Sequence, residues 1–212
     1  MNNLDFIYNR KSIRYYKEDV VPKEDILKLL DAATYAPSPK NQQNWHFVIV
    51  QNREIINEMA DAVTKSHEYI ASLTTTERDK KRYMNLLPYY INFKNASCAV
   101  LVYAKEYDII EEKILRANNV NEDIIDMIKS TQSTAQGIGA AVENFMLAAT
   151  SMGYGTCYMT GPAHAKTKIE EIIGFEKEEY SLMSIISLGV PIDKTPDKPK
   201  RKPLEEVVTF IE

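Results

Sequence analysis

Residues Cys98-Ala99-Val100-Leu101-Val102-Tyr103 are the stretch of this sequence that decides the fold. Their β-branched and aromatic side chains are typical of a strand. The apolar run is nearly continuous and does not alternate with polar residues, which predicts a strand covered on both faces. We therefore expect a sheet enclosed between layers of helices, with this strand in its interior.

Strand and helix patterns alternate through the rest of the chain. Further strands are predicted at 45–50, 154–159 and 184–190. Helices are predicted at 4–9, 22–35, 53–69, 109–115, 124–128, 131–152 and 166–173, with a largely helical excursion over 72–95. Glycine and alanine residues inside 131–152 allow another backbone to approach closely, so we place this helix at the centre. The alternation predicts an α/β or α+β sandwich.

The composition excludes several classes of protein. Hydrophobic residues at 44% and charged residues at 26% are ordinary globular values, which argues against a disordered or fibrous chain. A net charge of −4 provides no general basic field for nucleic acid. No apolar run approaches the roughly 20 residues that span a bilayer, and the first residues lack a secretory pattern. The two cysteines, Cys98 and Cys157, lack metal-ligand spacing. We expect a cytoplasmic protein without metal, membrane or nucleic-acid partner.

Two clusters of basic residues could bind an anion. Arg10-Lys11-Ser12-Ile13-Arg14, called here the basic pentad, would present Arg10, Ser12 and Arg14 on one side of an extended backbone. Two guanidinium groups beside a hydroxyl suit a phosphate. The second cluster, 194–203, carries lysines and an arginine among prolines. Either cluster alone is more typical of solvated surface, and only their convergence on one ligand would favour a phosphate site.

Several short motifs follow one another in a recognisable order. They lie at 10–14, 36–47, 143–149, 153–155, 159–161, 188–191 and 200–204. The segment 36–44 combines two prolines with side-chain amides and predicts a turn-rich loop. In this order the motifs resemble the FMN-dependent nitroreductase family of NAD(P)H-dependent flavin oxidoreductases. Residues 65–130 lie outside the resemblance.

The resemblance implies an architecture. The expected fold is α+β, a nitroreductase-like α/β sandwich with a mostly antiparallel central sheet flanked by helices. It implies one flavin-binding domain over 1–212 with a C-terminal extension at 191–212. Residues 70–130, outside the resemblance, are expected to form a helical excursion or lid. It also implies a homodimer whose flavin sites are shared between subunits.

The resemblance also assigns residues to the FMN phosphate and to the flavin ring. Arg10 and Ser12 would bind the phosphate, joined by Lys200 or Arg201, while Lys11 stays undecided between ligand and solvent. Arg14 would lie near flavin N1 and O2, where a fixed cation favours the reduced ring.

Two further segments complete the implied FMN site. Ser38 and Asn41 would bind the pyrimidine and ribityl side of the flavin, with Pro37 shaping their loop. The amides of Thr160-Gly161 would point at N5. No residue of the chain is assigned a catalytic role of its own, because the chemistry belongs to the flavin.

Four other polar residues are candidates for a role in binding or packing. His46 is interpreted as a core or interface histidine and His67 as a solvated one. His164 is the histidine nearest the implied flavin edge. Glu143, among apolar neighbours on the predicted central helix, is either the buried partner of a cation or a dimer-interface carboxylate.

The function implied is FMN-dependent NAD(P)H oxidoreduction. NADH or NADPH would donate hydride to flavin N5 and leave, and a small-molecule acceptor such as a nitroaromatic or a quinone would follow. The absence of a GxGxxG fingerprint agrees with a nicotinamide that binds transiently. Two alternatives stay open: a flavin carrier or sensor without turnover, and a protein that binds an unrelated phosphate ligand.

Overall fold

The computed structural model describes residues 4–192 and 200–212. A four-stranded antiparallel sheet forms its centre, in the order β1-β2-β4-β3. The strands are β1 (Trp45–Val50), β2 (Cys98–Lys105), β3 (Gly155–Met159) and β4 (Tyr180–Gly189). The helices are α1 (Asp5–Asn9), α2 (Lys23–Thr34), α3 (Arg53–Ser72), α4 (Glu77–Met84), α5 (Leu87–Tyr90), α6 (Ile110–Ala117), α7 (Glu122–Lys129), α8 (Ser133–Ser151) and α9 (Lys166–Ile173).

The strand β2 is buried on both faces, as its apolar run predicts. Val100 and Val102 face a cluster that includes Phe145 of α8. Leu101 and Tyr103 face a second cluster that includes Met59 of α3. The sheet therefore lies between two helical layers, and the predicted α+β sandwich with an antiparallel sheet is confirmed.

The basic pentad lies at the β3 edge of the sheet. Ser12 forms a parallel bridge with Thr156 of β3, and Tyr16 forms an antiparallel bridge with Pro191. The extended backbone predicted for the pentad is thus confirmed at Ser12.

The structure corrects the predicted start of the last strand. β4 begins at Tyr180, whereas the prediction began at Ser184. Its first residues pair with the end of β2, Tyr180 with Lys105 and Ser181 with Ala104. This part of the strand is specified by its neighbour, which a local pattern of apolar residues does not reveal.

The excursion over 72–95 is helical, as predicted. It consists of the end of α3, of α4 and α5, and of a 3₁₀ turn at Asn92–Asn95. The region 105–130 contributes α6 and α7. None of the helices within 4–192 or 200–212 combines the length and the apolar character needed to cross a bilayer.

Candidate functional site

The basic pentad is fastened to β3 through Ile13. The Ile13 backbone N–H donates to the Thr156 carbonyl over 2.8 Å, and its side chain is 8% exposed. A Cβ atom built on Gly155 would lie 2.7 Å from Cγ2 of Ile13 and 2.9 Å from its Cβ. Gly155 is therefore required for the pentad to lie this close to the strand.

Tyr16 fixes the end of the same segment. Its hydroxyl donates to the Ile13 carbonyl over 2.5 Å and lies 2.7 Å from Oγ of Ser187 on β4. Burial raises the pKa of the Tyr16 phenol above its ordinary value. The Tyr16 hydroxyl is therefore neutral, and its hydrogen bonds connect the pentad to the sheet.

Arg14 carries a buried donor that no described residue satisfies. Its Nε is buried without a hydrogen-bond partner among residues 4–192 and 200–212. Its Cζ lies 5.5 Å from the centre of the Tyr89 ring, and its backbone carbonyl accepts from Nδ2 of Asn92 over 3.2 Å. A buried donor left unpaired costs roughly 1–3 kcal/mol. Such a group fits an acceptor supplied by a ligand.

The thiol of Cys157 lies beneath this part of the pentad. It contacts the side chains of Ser12 and Arg14, and burial raises its pKa despite the opposing effect of Arg14. The thiol is therefore neutral, and it completes the inner wall of the cradle formed by Ser12 and Arg14.

Arg10 forms an ion pair with the central helix. Its Nε lies 3.1 Å from Oε1 of Glu143 on α8. The Arg10 side chain is 21% exposed and that of Glu143 is 45% exposed. Glu143 is thus the partner of a cation, but the predicted burial is wrong, because its side chain is nearly half exposed. Lys11 and Ser12 are both half-buried.

The end of β3 brings a second predicted segment close to the pentad. Thr160 is exposed, and Gly161 begins a 3₁₀ turn that ends at Ala165. A Cβ atom on Gly161 would lie 2.5 Å from the Tyr90 ring. Only glycine accommodates the ring at this distance.

The short helix α5 and the residue Asn92 after it link Arg14 of the pentad to the Gly161 turn. This link was not predicted from the sequence. Tyr89 lies against Arg14, Tyr90 lies against Gly161, and Asn92 binds the Arg14 carbonyl. The aromatic residues near 83–93 were the one signal in the sequence. Their contacts bring together residues about 70 positions away on either side, and no local pattern shows such contacts.

The loop before β1 is held by its own side chains. Oγ of Ser38 accepts from the Gln43 backbone N–H over 3.0 Å, and Oδ1 of Asn41 accepts from Nε2 of Gln43 over 3.2 Å. Lys40, Asn41 and Gln43 have φ values of 50°, 52° and 46°. Non-glycine residues in this left-handed conformation are strained and often mark ligand-binding loops. Pro37 and Asn41 are exposed.

The structure does not bring this loop to the pentad within one chain. The pentad borders β3, whereas the loop leads into β1 at the opposite edge. Two strands, β2 and β4, lie between β1 and β3.

The C-terminal basic residues lie on the surface of the protein. Lys200 and Arg201 are exposed, as are all described residues after them. The remaining part of the second basic cluster, 194–199, lies outside the described residues.

The interpretation of His67 as a solvated residue is wrong. His67 is fully buried, because α3 turns this side toward α4 and the Tyr83 ring stacks on it at 4.0 Å. His46 is half-buried beside Lys177, and burial lowers its pKa. Within the described part of the chain, no group of three or more His, Cys, Asp or Glu residues could hold a metal ion.

Comparison with known proteins identifies the family of this chain. The sequence profile of the nitroreductase family matches residues 7–190. The chain belongs to the nitroreductase family. Membership agrees with the resemblance seen in the order of its motifs and with the sandwich fold.

Three nitroreductase relatives show how far the likeness extends. A protein of Archaeoglobus fulgidus, provisionally named NADH dehydrogenase/NAD(P)H nitroreductase, is 31% identical over 90% of this chain and 86% of its own. A BluB-like flavoprotein of Clostridium difficile is 36% identical, with a TM-score of 0.94 over 100% of both chains. The FMN-dependent nitroreductase NfnB of Mycobacterium smegmatis, solved with NADPH, is 19% identical, with a TM-score of 0.72 over 98% of this chain and 96% of its own.

Proposed function

We propose that this nitroreductase-family protein is an FMN-dependent NAD(P)H oxidoreductase. The observation that carries the proposal is the buried Nε of Arg14, which finds no hydrogen-bond partner among residues 4–192 and 200–212. Bound FMN would take hydride at N5 from NADH or NADPH and pass it to a small-molecule acceptor in a separate step. The names of the relatives support this reaction class.

The phosphate end of FMN would be held by the first half of the pentad. Arg10 uses Nε toward Glu143, and that contact does not engage its two Nη groups. The Nη groups carry four of the five guanidinium N–H donors and suit a phosphate. The Ser12 hydroxyl would add a neutral donor, and Lys11 precedes it in the pentad. Lys200 or Arg201 would join them from the C-terminal extension.

The ring end would be held by Arg14 and the β3 turn. Arg14 would direct its buried guanidinium toward N1 and O2, where negative charge develops on reduction. The amides of Thr160 and Gly161 would face N5. The protein thus supplies the charge and orientation, and Tyr89 and Tyr90 shield these groups from water on one side.

We further propose that the active unit is a homodimer in which a second copy supplies Pro37, Ser38 and Asn41. The separation of the loop from the pentad in one chain supports this, since one flavin ring would have to cross the width of the sheet to reach both. Exposed apolar side chains mark surface available for the partner. They include Phe6 and Tyr8 of α1 and Phe210 and Ile211 near the C-terminus.

The acceptor would enter from the side of the lid predicted within 70–130. A cavity of about 520 Å³ lies between Tyr107 and the start of α8, next to the loop. Lys40 of that loop lies 5.7 Å from the Tyr107 ring. The cavity carries both acidic and basic groups, Glu106, Glu112 and Lys129 among them. This mixture suits polar aromatic acceptors such as nitroaromatics and quinones.

One experiment tests the function directly. The purified protein is expected to show the visible absorbance of FMN, to bleach with NADH or NADPH without oxygen, and to recover colour with a nitroaromatic or quinone. Bound flavin that neither nicotinamide reduces would indicate a carrier or sensor instead. A protein that binds no FMN when it is supplied would contradict the proposal entirely.

A further inference from the structure

The turn that begins at Gly161 is clamped to α3 through His164. Nδ1 of His164 lies 2.9 Å from Oγ of Ser66, and this hydroxyl donates to the His164 carbonyl over 3.2 Å. The two contacts join both the ring and the backbone of one residue to the same hydroxyl. They fix the turn Gly161–Ala165 against the helix.

The clamp defines which nitrogen of His164 carries the proton. Ser66 has one proton and gives it to the carbonyl, which can only accept. The Nδ1–H group must then donate to Oγ, and Nε2 keeps a lone pair. Nε2 is buried without a hydrogen-bond partner among the described residues.

An aromatic cluster encloses the ring of His164. The ring of His67 lies 5.8 Å away and that of Tyr90 also lies 5.8 Å away, centre to centre. Tyr90 in turn packs on Gly161. Nε2 of His67 lies 2.9 Å from the Tyr83 carbonyl, so it donates, and its buried Nδ1 also keeps a lone pair. Protonation of His164 would create an N–H group at Nε2. The aromatic neighbours in this cluster provide no carboxylate to accept from it.

We propose that His164 is a positioning residue, which holds the Gly161 amide in place through Ser66 and Tyr90 only while its imidazole is neutral. This inference rests on the proposed function, in which the Gly161 amide faces the N5 atom of the flavin. His164 touches neither flavin nor acceptor in this scheme. It lies three residues after Gly161 and acts by holding the turn that contains both residues.

The electrostatics of the cluster support this role. Burial, and then the charge of His67, lower the pKa of His164 below 6.5. The titratable groups that face it are His67 of α3 and Tyr90 of α5, and Tyr83 of α4 stacks on His67. Protonation would place a positive charge in buried surroundings beside rings that carry no compensating negative charge. The folded state thus binds fewer protons than the unfolded state, and stability is lost as the pH falls from 6.5 through the lowered pKa.

Three substitutions of His164 separate hydrogen bonding at Nδ1 from titration of the ring. Asparagine places an amide near the Nδ1 position and does not titrate, so His164→Asn should keep the bond to Ser66. Glutamine places its amide near the Nε2 position, and phenylalanine has no donor. His46→Asn, on β1 at the far edge of the sheet, is the matched control.

The test is the rate of FMN reduction by NAD(P)H, measured by stopped flow from about pH 7.5 to about pH 5.5. His164→Gln and His164→Phe should lose roughly tenfold or more in rate, as expected when a reacting group is misplaced. His164→Asn and His46→Asn should keep it near neutral pH. As the pH falls, the wild-type rate should fall relative to that of His164→Asn. A glutamine or phenylalanine variant with the rate and pH profile of the wild type would overturn the proposal.

Thermal melting without flavin provides an independent check. The wild-type melting temperature should fall toward pH 5.5 more than that of His164→Asn, because the folded wild type binds fewer protons than the unfolded chain. This expectation does not depend on flavin binding. Equal falls would contradict the clamp. If the phenylalanine variant does not fold, the asparagine and glutamine variants carry the comparison. A wild-type protein that nicotinamide does not reduce would overturn the proposed function instead, and the melting data would still decide on the clamp.

Discussion

Arg14 is the residue in which local chemistry and site geometry meet most directly. Its guanidinium is held by β3 on one side and Tyr89 on the other, and its Nε is buried without a partner in the described residues. Arginine cannot avoid this cost by losing its proton, as a buried lysine can. A ligand that brings an acceptor would therefore remove a cost of roughly 1–3 kcal/mol.

Replacing Arg14 by glutamine should lower the midpoint potential of bound FMN. The substitution removes the cation that stabilises the reduced ring. A charge-assisted hydrogen bond contributes roughly 1.5–3 kcal/mol, equivalent to about 30–60 mV for a two-electron couple. Anaerobic redox titration measures the shift, with Arg78→Gln on the exposed part of α4 as the control. An unchanged midpoint would remove Arg14 from the ring.

Replacing Arg10 by alanine should weaken FMN binding by about 10- to 150-fold, the equivalent of one charge-assisted contact. Riboflavin lacks the phosphate, so its dissociation constant should stay nearly constant. Fluorescence titration of both flavins makes the comparison. Equal weakening of FMN and riboflavin would show that Arg10 supports the fold through Glu143 and does not bind phosphate.

At the scale of elements, the site is made by segments without long regular structure. The pentad is an extended segment at a sheet edge, α5 is four residues long, and the Gly161 turn is a 3₁₀ helix. Each is positioned by close packing on a regular element, namely β3, α3 or α8. Such precise contacts make the site sensitive to single methyl groups, since packed interiors do not yield easily.

Gly155→Ala should displace the pentad from β3. The added methyl would lie 2.7–2.9 Å from three atoms of Ile13, including its Cβ, which a rotamer change cannot move away. We expect a loss of about 1–3 kcal/mol in the free energy of unfolding. Denaturant unfolding measures it, and weaker FMN binding should accompany it.

Gly139→Ala is the matched control for this prediction. Gly139 lies in α8, and its added Cβ would meet no atom within 4 Å. Because alanine favours a helix over glycine by up to about 1 kcal/mol, this variant should be neutral or more stable. Equal destabilisation by the two substitutions would contradict the proposed packing of Ile13.

For the whole molecule, the arrangement of the sheet separates residues that the proposed site needs together. The pentad and the loop 36–44 lead to opposite edges of one sheet. The described end of the chain, 200–212, is exposed throughout and includes Phe210 at 85% and Ile211 at 95% exposure. Surface of this kind, left uncovered in one chain, is typical of a segment that packs on a partner.

Deleting residues 200–212 should therefore disturb both dimer and cofactor. The truncated chain loses Lys200, Arg201 and the exposed apolar side chains together. We expect a shift toward monomer in analytical ultracentrifugation and release of FMN on gel filtration. A truncated protein that stays dimeric and yellow would contradict the role proposed for this extension.

The sequence by itself determined the layers and the chemistry of this protein. The unbroken apolar run of β2 requires cover on both faces, and the alternation of strands and helices supplies it. The predicted bounds of β1 and α9 agree with those of the structure at both ends. The motif order identified the family, because short polar motifs keep their positions along the chain. These features depend on residues near one another in sequence.

Only the tertiary structure decided which residues meet. It placed Tyr89 and Tyr90 on Arg14 and Gly161, buried His67, clamped His164 to Ser66, and started β4 four residues earlier than its local pattern indicates. It also separated the pentad from the loop by the width of the sheet. These facts depend on strand order and on contacts between distant residues, where the free energy of packing overrides local preference.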